Sequence, residues 1–285
     1  MNVGIVGLGF VGNALSNGLK ESINLIKIDP KLNTSIDDLI DFDPEIVFVC
    51  VPTPMKDSGE QDISIVNEVL KDITEKKSDI LIVLKSTVLP NYANHLTNQY
   101  KTLVFNPEFL RENYADEDFI NSKMIVLGGN IENTRKVSDF YKKYTKCITQ
   151  DHIFTDEVSA SLIKYAINSF LALKVVFFNE MNNIFEKSES NNKWDEFVSY
   201  LSRDPRIGSS HMNVPGPDGR YGFGGACFPK DTNALISYSK KIDAEFKLLK
   251  KAININNNIR DKYNVTKREK EQNIIFISDD DISKE

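Results

Sequence analysis

Val3-Gly4-Ile5-Val6-Gly7-Leu8-Gly9-Phe10-Val11-Gly12 carries a short apolar run straight into three glycines spaced GxGxxG. The run reads as a strand and the residues from Gly12 to Lys20 as a helix, so the glycines fall on a strand-to-helix turn. In that setting each glycine has a separate reason. Gly7 permits the tight turn, Gly9 lets backbone approach a ligand closely, and Gly12 lets helix and strand pack.

Working outward, β-branched and apolar runs recur at Leu25–Ile28, Ile46–Val51, Ile80–Leu84, Thr102–Phe105 and Met124–Leu127. Helical stretches lie between several of them. The segment 63–76, for example, spaces Ile65, Val66, Val69, Leu70 and Ile73 along one helical face. This alternation predicts an α/β fold, a Rossmann-type doubly wound parallel sheet over residues 1–154. Asp29 closes the second predicted strand, where a carboxylate accepts hydrogen bonds from an adenosine ribose and repels a 2′-phosphate. The expected cofactor is therefore NAD, held at Gly7, Gly9, Phe10, Val11, Gly12 and Asp29. Val51-Pro52-Thr53-Pro54 and Lys85-Ser86-Thr87 follow the third and fourth strands, at the sheet edge that faces such a cofactor; each also reads as a plain turn.

The period changes at Thr155. Thr155 is a candidate cap, Asp156 and Glu157 suit a helix start, and Val158, Leu162, Ala166, Phe170, Leu173, Phe177, Met181 and Ile184 form a long apolar stripe. A helical central domain is expected over 155–263. It is interrupted from Arg203 to Gly225, where three prolines and six glycines predict a loop. A further helix is expected over 243–263, and residues 264–285 form a charged end with one strand-like run, Ile274–Ile277, and an acidic tract, Asp279–Asp281.

With 285 residues, 41% of them hydrophobic, the chain can bury a real core. A net charge of −6 argues against nucleic acid or an anionic membrane as partner. No apolar run is read as a membrane span, and the glycine-broken start has no basic leader. Cys50, Cys147 and Cys227 stand far apart, without CxxC spacing, which predicts neither disulfides nor a metal site and suits a reducing cytoplasm.

Cys227 is the candidate nucleophile. It follows the paired Gly224-Gly225 and precedes Lys230-Asp231, so a base and an acid stand beside a thiol in a loop that a phosphate-bearing ligand can approach; a small buried cysteine in a turn is the plainer alternative. Lys164 and Asn168 lie four apart on one predicted helix face, suited to hold an oxyanion. Glu108 and Glu112 also stand four apart and can position or deprotonate water, although such pairs are also common on solvated helix faces.

Together, Gly7–Gly12, Val51–Pro54, Lys85–Thr87, Asn106–Glu112, Lys164–Glu180, Asp204–Gly208 and Tyr221–Asp231 run through nearly the whole chain in the order found in the UDP-glucose and GDP-mannose dehydrogenases, and the sequence resembles that family. The resemblance implies a four-electron oxidation of a sugar-nucleotide C6 alcohol with two NAD. Cys227 would pass through a thiohemiacetal and a thioester, Lys164 and Asn168 would stabilise the oxyanion, and Thr87, Glu112 and Asp231 would hold water, with Glu108 a further active-site carboxylate. It places Val51, Pro52, Thr53, Ser86, Thr87, Glu112 and Lys230 at the cofactor. Glu108, Phe109, Leu110, Arg111, Lys164, Asn168, Tyr221, Phe223 and Gly224 fall at the sugar nucleotide, and Arg206 at the site of a partner subunit. A homodimer is implied, with helix 243–263 matching the family's dimerising helix, although its apolar stripe also reads as internal core. UDP-glucose is the first expected substrate; GDP-mannose oxidation, or a silent dinucleotide-binding module, is the alternative. The chain departs from the family in a short 29–46 connection and in ending where a third, nucleotide-covering domain is expected, with Ile274–Ile277 as that domain's first strand.

Overall fold

The computed structural model describes residues 1–277. They form two compact units, residues 1–53 with 62–164, and residues 54–61 with those from 165 onward. This division falls inside a helix, between Lys164 and Tyr165. The acidic tract Asp279–Asp281 lies outside the described residues.

The first unit contains β1 (Asn2–Val6), α1 (Phe10–Gly18), β2 (Asn24–Ile28), α2 (Ile36–Asp41), β3 (Ile46–Val49), α3 (Ser64–Lys76), β4 (Leu81–Leu84), α4 (Pro90–Gln99), β5 (Leu103–Phe105), α5 (Ala115–Ile120), β6 (Ile125–Gly129), α6 (Ile131–Tyr144) and β7 (His152–Thr155). The sheet order is β2-β1-β3-β4-β5-β6-β7. All neighbours are parallel except β5 and β6, which pair antiparallel, so the sheet is the expected doubly wound parallel one with a single antiparallel ladder. Strand β7 was not expected; its half-buried residues lack the solid apolar run that marks the inner strands.

The inner strands show why both faces are covered. In β3, Val47 and Val49 point to the side packed by Leu39, Val66, Leu70, Ile73 and Leu96, while Ile46 and Phe48 point to the side packed by Ala14, Leu15, Phe119, Val137 and Phe140. Successive strand residues face opposite ways, so a strand buried on both sides must be apolar at every position. Helices α2, α3 and α4 thus cover one face, and α1, α5 and α6 the other.

The long helix α7 (Glu157–Lys187) follows, and beyond it α8 (Trp194–Leu201), α9 (Phe228–Lys241), α10 (Lys247–Arg260) and α11 (Lys267–Glu271) complete the second unit. Asp156, not Thr155, caps α7: its carboxylate accepts from the Ser159 N–H at 2.8 Å, while Thr155 ends β7. Phe178, Phe185, Trp194, Val198, Met212 and Val214 form one core of this unit, and Ala172, Val176, Phe223 and Ala252 another. The stripe read from the sequence of α7 largely faces outward, with Phe170, Phe177 and Ile184 about 60% exposed (63%, 60% and 58%). In α10, by contrast, Leu249, Ala252 and Ile253 are buried within the unit, so that stripe is internal core.

By length and composition α7 is apolar enough to cross a membrane, which corrects the expectation that no segment is. Half of its apolar window is buried in the protein, and its buried residues include Lys164, Asn168, Asn179 and Asn182, the pattern of a core helix with polar work to do. Ile274–Ile277 forms no strand.

The glycine turn gives the first test. A Cβ on Gly12 would stand 2.0 Å from the Gly7 carbonyl oxygen, whereas one on Gly9 would meet nothing within 4 Å. Gly12→Ala should therefore cost about 2 kcal/mol or more. In thermal denaturation the midpoint should fall by roughly 4 °C or more, with Gly9→Ala close to the parent protein.

Candidate active-site residues

At the first turn, Gly7 has φ +91°, and a Cβ there would press on the Cys50 carbonyl at 2.8 Å, so only glycine lets β1 end this close to β3. The turn delivers Gly9, Phe10, Val11 and Gly12 to the start of α1, whose N-terminal N–H groups favour an anion. The open space over Gly9 is the gap a pyrophosphate requires, and the residues present fit NAD. Asp29 is 9% exposed; its Oδ2 accepts from the Leu8 N–H at 2.8 Å and its Oδ1 from the Lys31 N–H at 2.9 Å. The carboxylate expected to read a ribose thus also pins the glycine turn.

The other two segments expected at the cofactor are joined to one another. Ser86 Oγ donates to the Val51 carbonyl at 2.7 Å, and Thr53 Oγ1 to the Thr87 carbonyl at 3.0 Å. These bonds fix the segments Val51-Pro52-Thr53 and Ser86-Thr87, which extend from neighbouring strands β3 and β4, against each other.

Residues 107–111 leave β5 as extended loop, with a short 3-10 turn from Glu112 to Tyr114, so Glu108 and Glu112 do not share a helix face. Glu108 is buried and Glu112 exposed. Lys164 Nζ donates to Glu108 Oε1 at 3.0 Å and to its carbonyl at 2.6 Å, and lies 5.4 Å from the Phe109 ring centre. Glu108 Oε2 accepts from the Leu110 N–H at 2.6 Å. Arg111 turns to Asp118 at 2.7 Å, which raises the guanidinium's pKa and lowers that of the carboxyl.

In the second unit, Asn168 Nδ2 donates to Asp231 Oδ2 at 2.6 Å, and Lys230 Nζ to Asp231 Oδ1 at 2.5 Å. All three side chains are buried. Lys230, the base read beside the thiol, is thus engaged by a carboxylate. Cys227 occupies the N-cap of α9, and its carbonyl accepts from the Asp231 N–H at 2.8 Å. The end of a helix that favours negative charge therefore starts at this cysteine. Burial pushes the Cys50 thiol up to about 12 and also raises that of Cys147, which disfavours either as a nucleophile.

Phe223 is buried and Gly224 half-buried, while Tyr221 is exposed. Arg206 is 88% exposed over its side chain and pairs with Asp204 at 2.6 Å. The sequence reading missed the side chains that hold this loop: Asn179 accepts from the Gly222 N–H at 2.9 Å, and Asn256 both accepts from the Phe223 N–H at 2.6 Å and donates to its carbonyl at 3.0 Å. Their signal was polar residues set into apolar helix faces.

The buried pair in the first unit makes a direct prediction. Lys164→Met leaves Glu108 a buried carboxylate without its cation, at a cost of about 3–5 kcal/mol. Urea denaturation should show that loss, and adding Glu108→Gln should recover most of it.

Comparison with known proteins is consistent with both units. Residues 17–145 match the NAD binding domain of the UDP-glucose/GDP-mannose dehydrogenase family, and residues 158–258 match its central domain. The UDP-glucose 6-dehydrogenase of Rickettsia bellii is 42% identical over 222 residues, covering 74% of this chain and 49% of that protein. UDP-glucose 6-dehydrogenase YwqF of Bacillus subtilis is 37% identical over 227 residues, covering 75% and 49%. The chain thus spans about half the length of these curated relatives. A UDP-glucose dehydrogenase structure from Pyrobaculum islandicum shares the fold, with a TM-score of 0.74 at 24% identity over 90% of this chain and 68% of that one. With both its NAD-binding and its central domain matched, the chain belongs to the UDP-glucose/GDP-mannose dehydrogenase family.

Proposed function

We propose that the protein oxidises the C6 alcohol of a sugar nucleotide, UDP-glucose first, to the carboxylate in two NAD-dependent steps. The observation that carries this reading is Cys227 at the N-terminus of α9, one turn ahead of the buried Lys230-Asp231 pair to which Asn168 donates. The names and identities of the curated relatives support UDP-glucose as the substrate.

NAD, when bound, supplies the hydride acceptor for each oxidation. The glycine turn and Asp29 hold its adenosine half, and Val51–Thr53 with Ser86–Thr87 form the neighbouring wall. At the aldehyde stage the Cys227 sulfur adds to the carbonyl carbon, and Lys164 and Asn168 donate to the oxygen that takes the charge. After the second oxidation, Asp231, one turn along α9 from Cys227, orients the water that breaks the thioester C–S bond, returning the thiol and releasing the acid. Glu108 keeps the Lys164 ammonium aimed. The balance is one sugar nucleotide, two NAD and one water to one acid, two NADH and two protons.

UDP-glucose with NAD should therefore yield about two NADH per sugar, and GDP-mannose in the same panel should yield less. One NADH per sugar with free aldehyde would defeat the covalent route. Cys227→Ser should block the second oxidation, and normal acid output from it would remove Cys227 from the mechanism. NAD binding by calorimetry with no turnover on any sugar nucleotide would identify a binding module instead.

The reading includes a homodimer formed through α7. Phe170, Phe177 and Ile184 recur every seven residues on its exposed side, the spacing of a helix seam that meets another helix. Arg206, exposed and paired with Asp204, would serve a partner subunit's site. Light scattering should show a dimer, and Phe170→Asp with Phe177→Asp should give a monomer.

A further inference from the structure

We propose that Glu269, on α11, is a positioning residue for Cys227, holding through Arg260 and the Gly225 N–H the loop that delivers the cysteine to α9. The inference rests on the reading of Cys227 as the reacting thiol. It extends the site to residues 266–271, a charged stretch that the sequence alone presents as a solvated end.

Glu269 is 0% exposed and Arg260 1%. Glu269 Oε1 accepts from two groups at once, the Gly225 N–H at 3.0 Å and Arg260 Nη2 at 3.0 Å. Its Oε2 accepts from the Thr266 N–H at 2.7 Å, and Thr266 Oγ1 accepts from the Glu269 N–H at 3.2 Å. This reciprocal capping box fixes the start of α11, and with it the carboxylate. Burial opposes ionisation of Glu269, yet the Thr266 and Gly225 N–H groups and Arg260 together hold it below the usual carboxylate range.

From the other side, Arg260 Nη1 reaches Asp218 Oδ2 at 2.8 Å, so one guanidinium ties the beginning of the loop to α11. A Cβ on Gly224 would stand 2.0 Å from Arg260 Nη2 and 2.5 Å from Glu269 Oε1, so the loop backbone lies directly on the ion pair. Gly225 has φ +76°, a conformation that side-chain-bearing residues resist, and it is two residues before Cys227. The hydrogen bond that this N–H donates to a buried carboxylate fixes the backbone two residues before the thiol. Buried ion pairs contribute little net stability when compared with apolar packing, but removal of one partner is disruptive, which suits a role in geometry.

The test uses the whole chain and two variants, Glu269→Gln, which keeps shape and loses charge, and Glu269→Asp, which keeps charge and loses reach. Iodoacetamide labelling is followed by mass spectrometry of the three cysteine peptides, with Cys50 and Cys147 as internal references. In the folded variants the Cys227 rate should change by about threefold or more while the other two stay constant. The turnover number on UDP-glucose should fall by about tenfold or more at unchanged KM for NAD. Wild-type Cys227 labelling in either folded variant would overturn the proposal, as would all three cysteines speeding up together, the signature of general loosening. If Cys227→Ser retains full acid production, the functional reading fails, while the labelling result still decides whether Glu269 places this thiol.

Discussion

A charged side chain taken out of water has to meet a partner, and in this protein three such meetings fix most of what chemistry requires. Lys164 meets Glu108 in the first unit, and Asp231 meets Lys230 and Asn168 in the second. Arg260 meets Glu269 and Asp218. Replacing one member leaves a buried charge with fewer of its partners, so each group restrains its neighbour's position as well as its charge. The loop after β5, the start of α9 and the glycine loop before Cys227 are each held by one of these clusters.

The second constraint is the approach of backbone to backbone at the Gly-rich turn. There is no room for a side chain at Gly7 or Gly12, while Gly9 faces open space. Steric exclusion at two positions and vacancy at the third are what a turn needs if it is to hold strand, helix and a pyrophosphate in one place. Asp29 links the two functions, since the carboxylate that suits a ribose also accepts the Leu8 N–H within the turn.

Much of the first unit was legible in the sequence because a strand buried on both faces admits only apolar residues, and Ile46–Val49 or Leu81–Leu84 announce themselves. Strand β7 did not, since an edge strand with half-buried residues has no such compositional demand. The antiparallel β5–β6 ladder was invisible for a different reason: strand direction depends on the connection, not on the residues paired. Periodicity in α7 identified a helix but misplaced its stripe, because a row of apolar residues does not say whether its cover is the same chain. The spacing of Glu108 and Glu112 did not say that one is buried and the other exposed, since it carries no information on burial in a loop. Glu269 escaped because charge in a terminal segment reads as solvation; the Thr266-x-x-Glu269 spacing of a capping box was the available clue.

The candidate oxyanion donors already have partners within the protein, and this bears on how they would act. Lys164 Nζ is held by two oxygens of Glu108, and Asn168 Nδ2 by one oxygen of Asp231. A flexible lysine that found its target only when substrate arrived would lose side-chain entropy at that moment, whereas Lys164 has already lost it on folding. The donors also stand four residues apart on one continuous helix, so their spacing is set by the helix itself. Preorganisation of this kind lets a donor stabilise charge as it develops without first having to reorient. The buried carboxylates Glu108 and Asp231 thus have a consequence beyond proton chemistry: they hold in advance the cation and the amide that the proposed reaction would use.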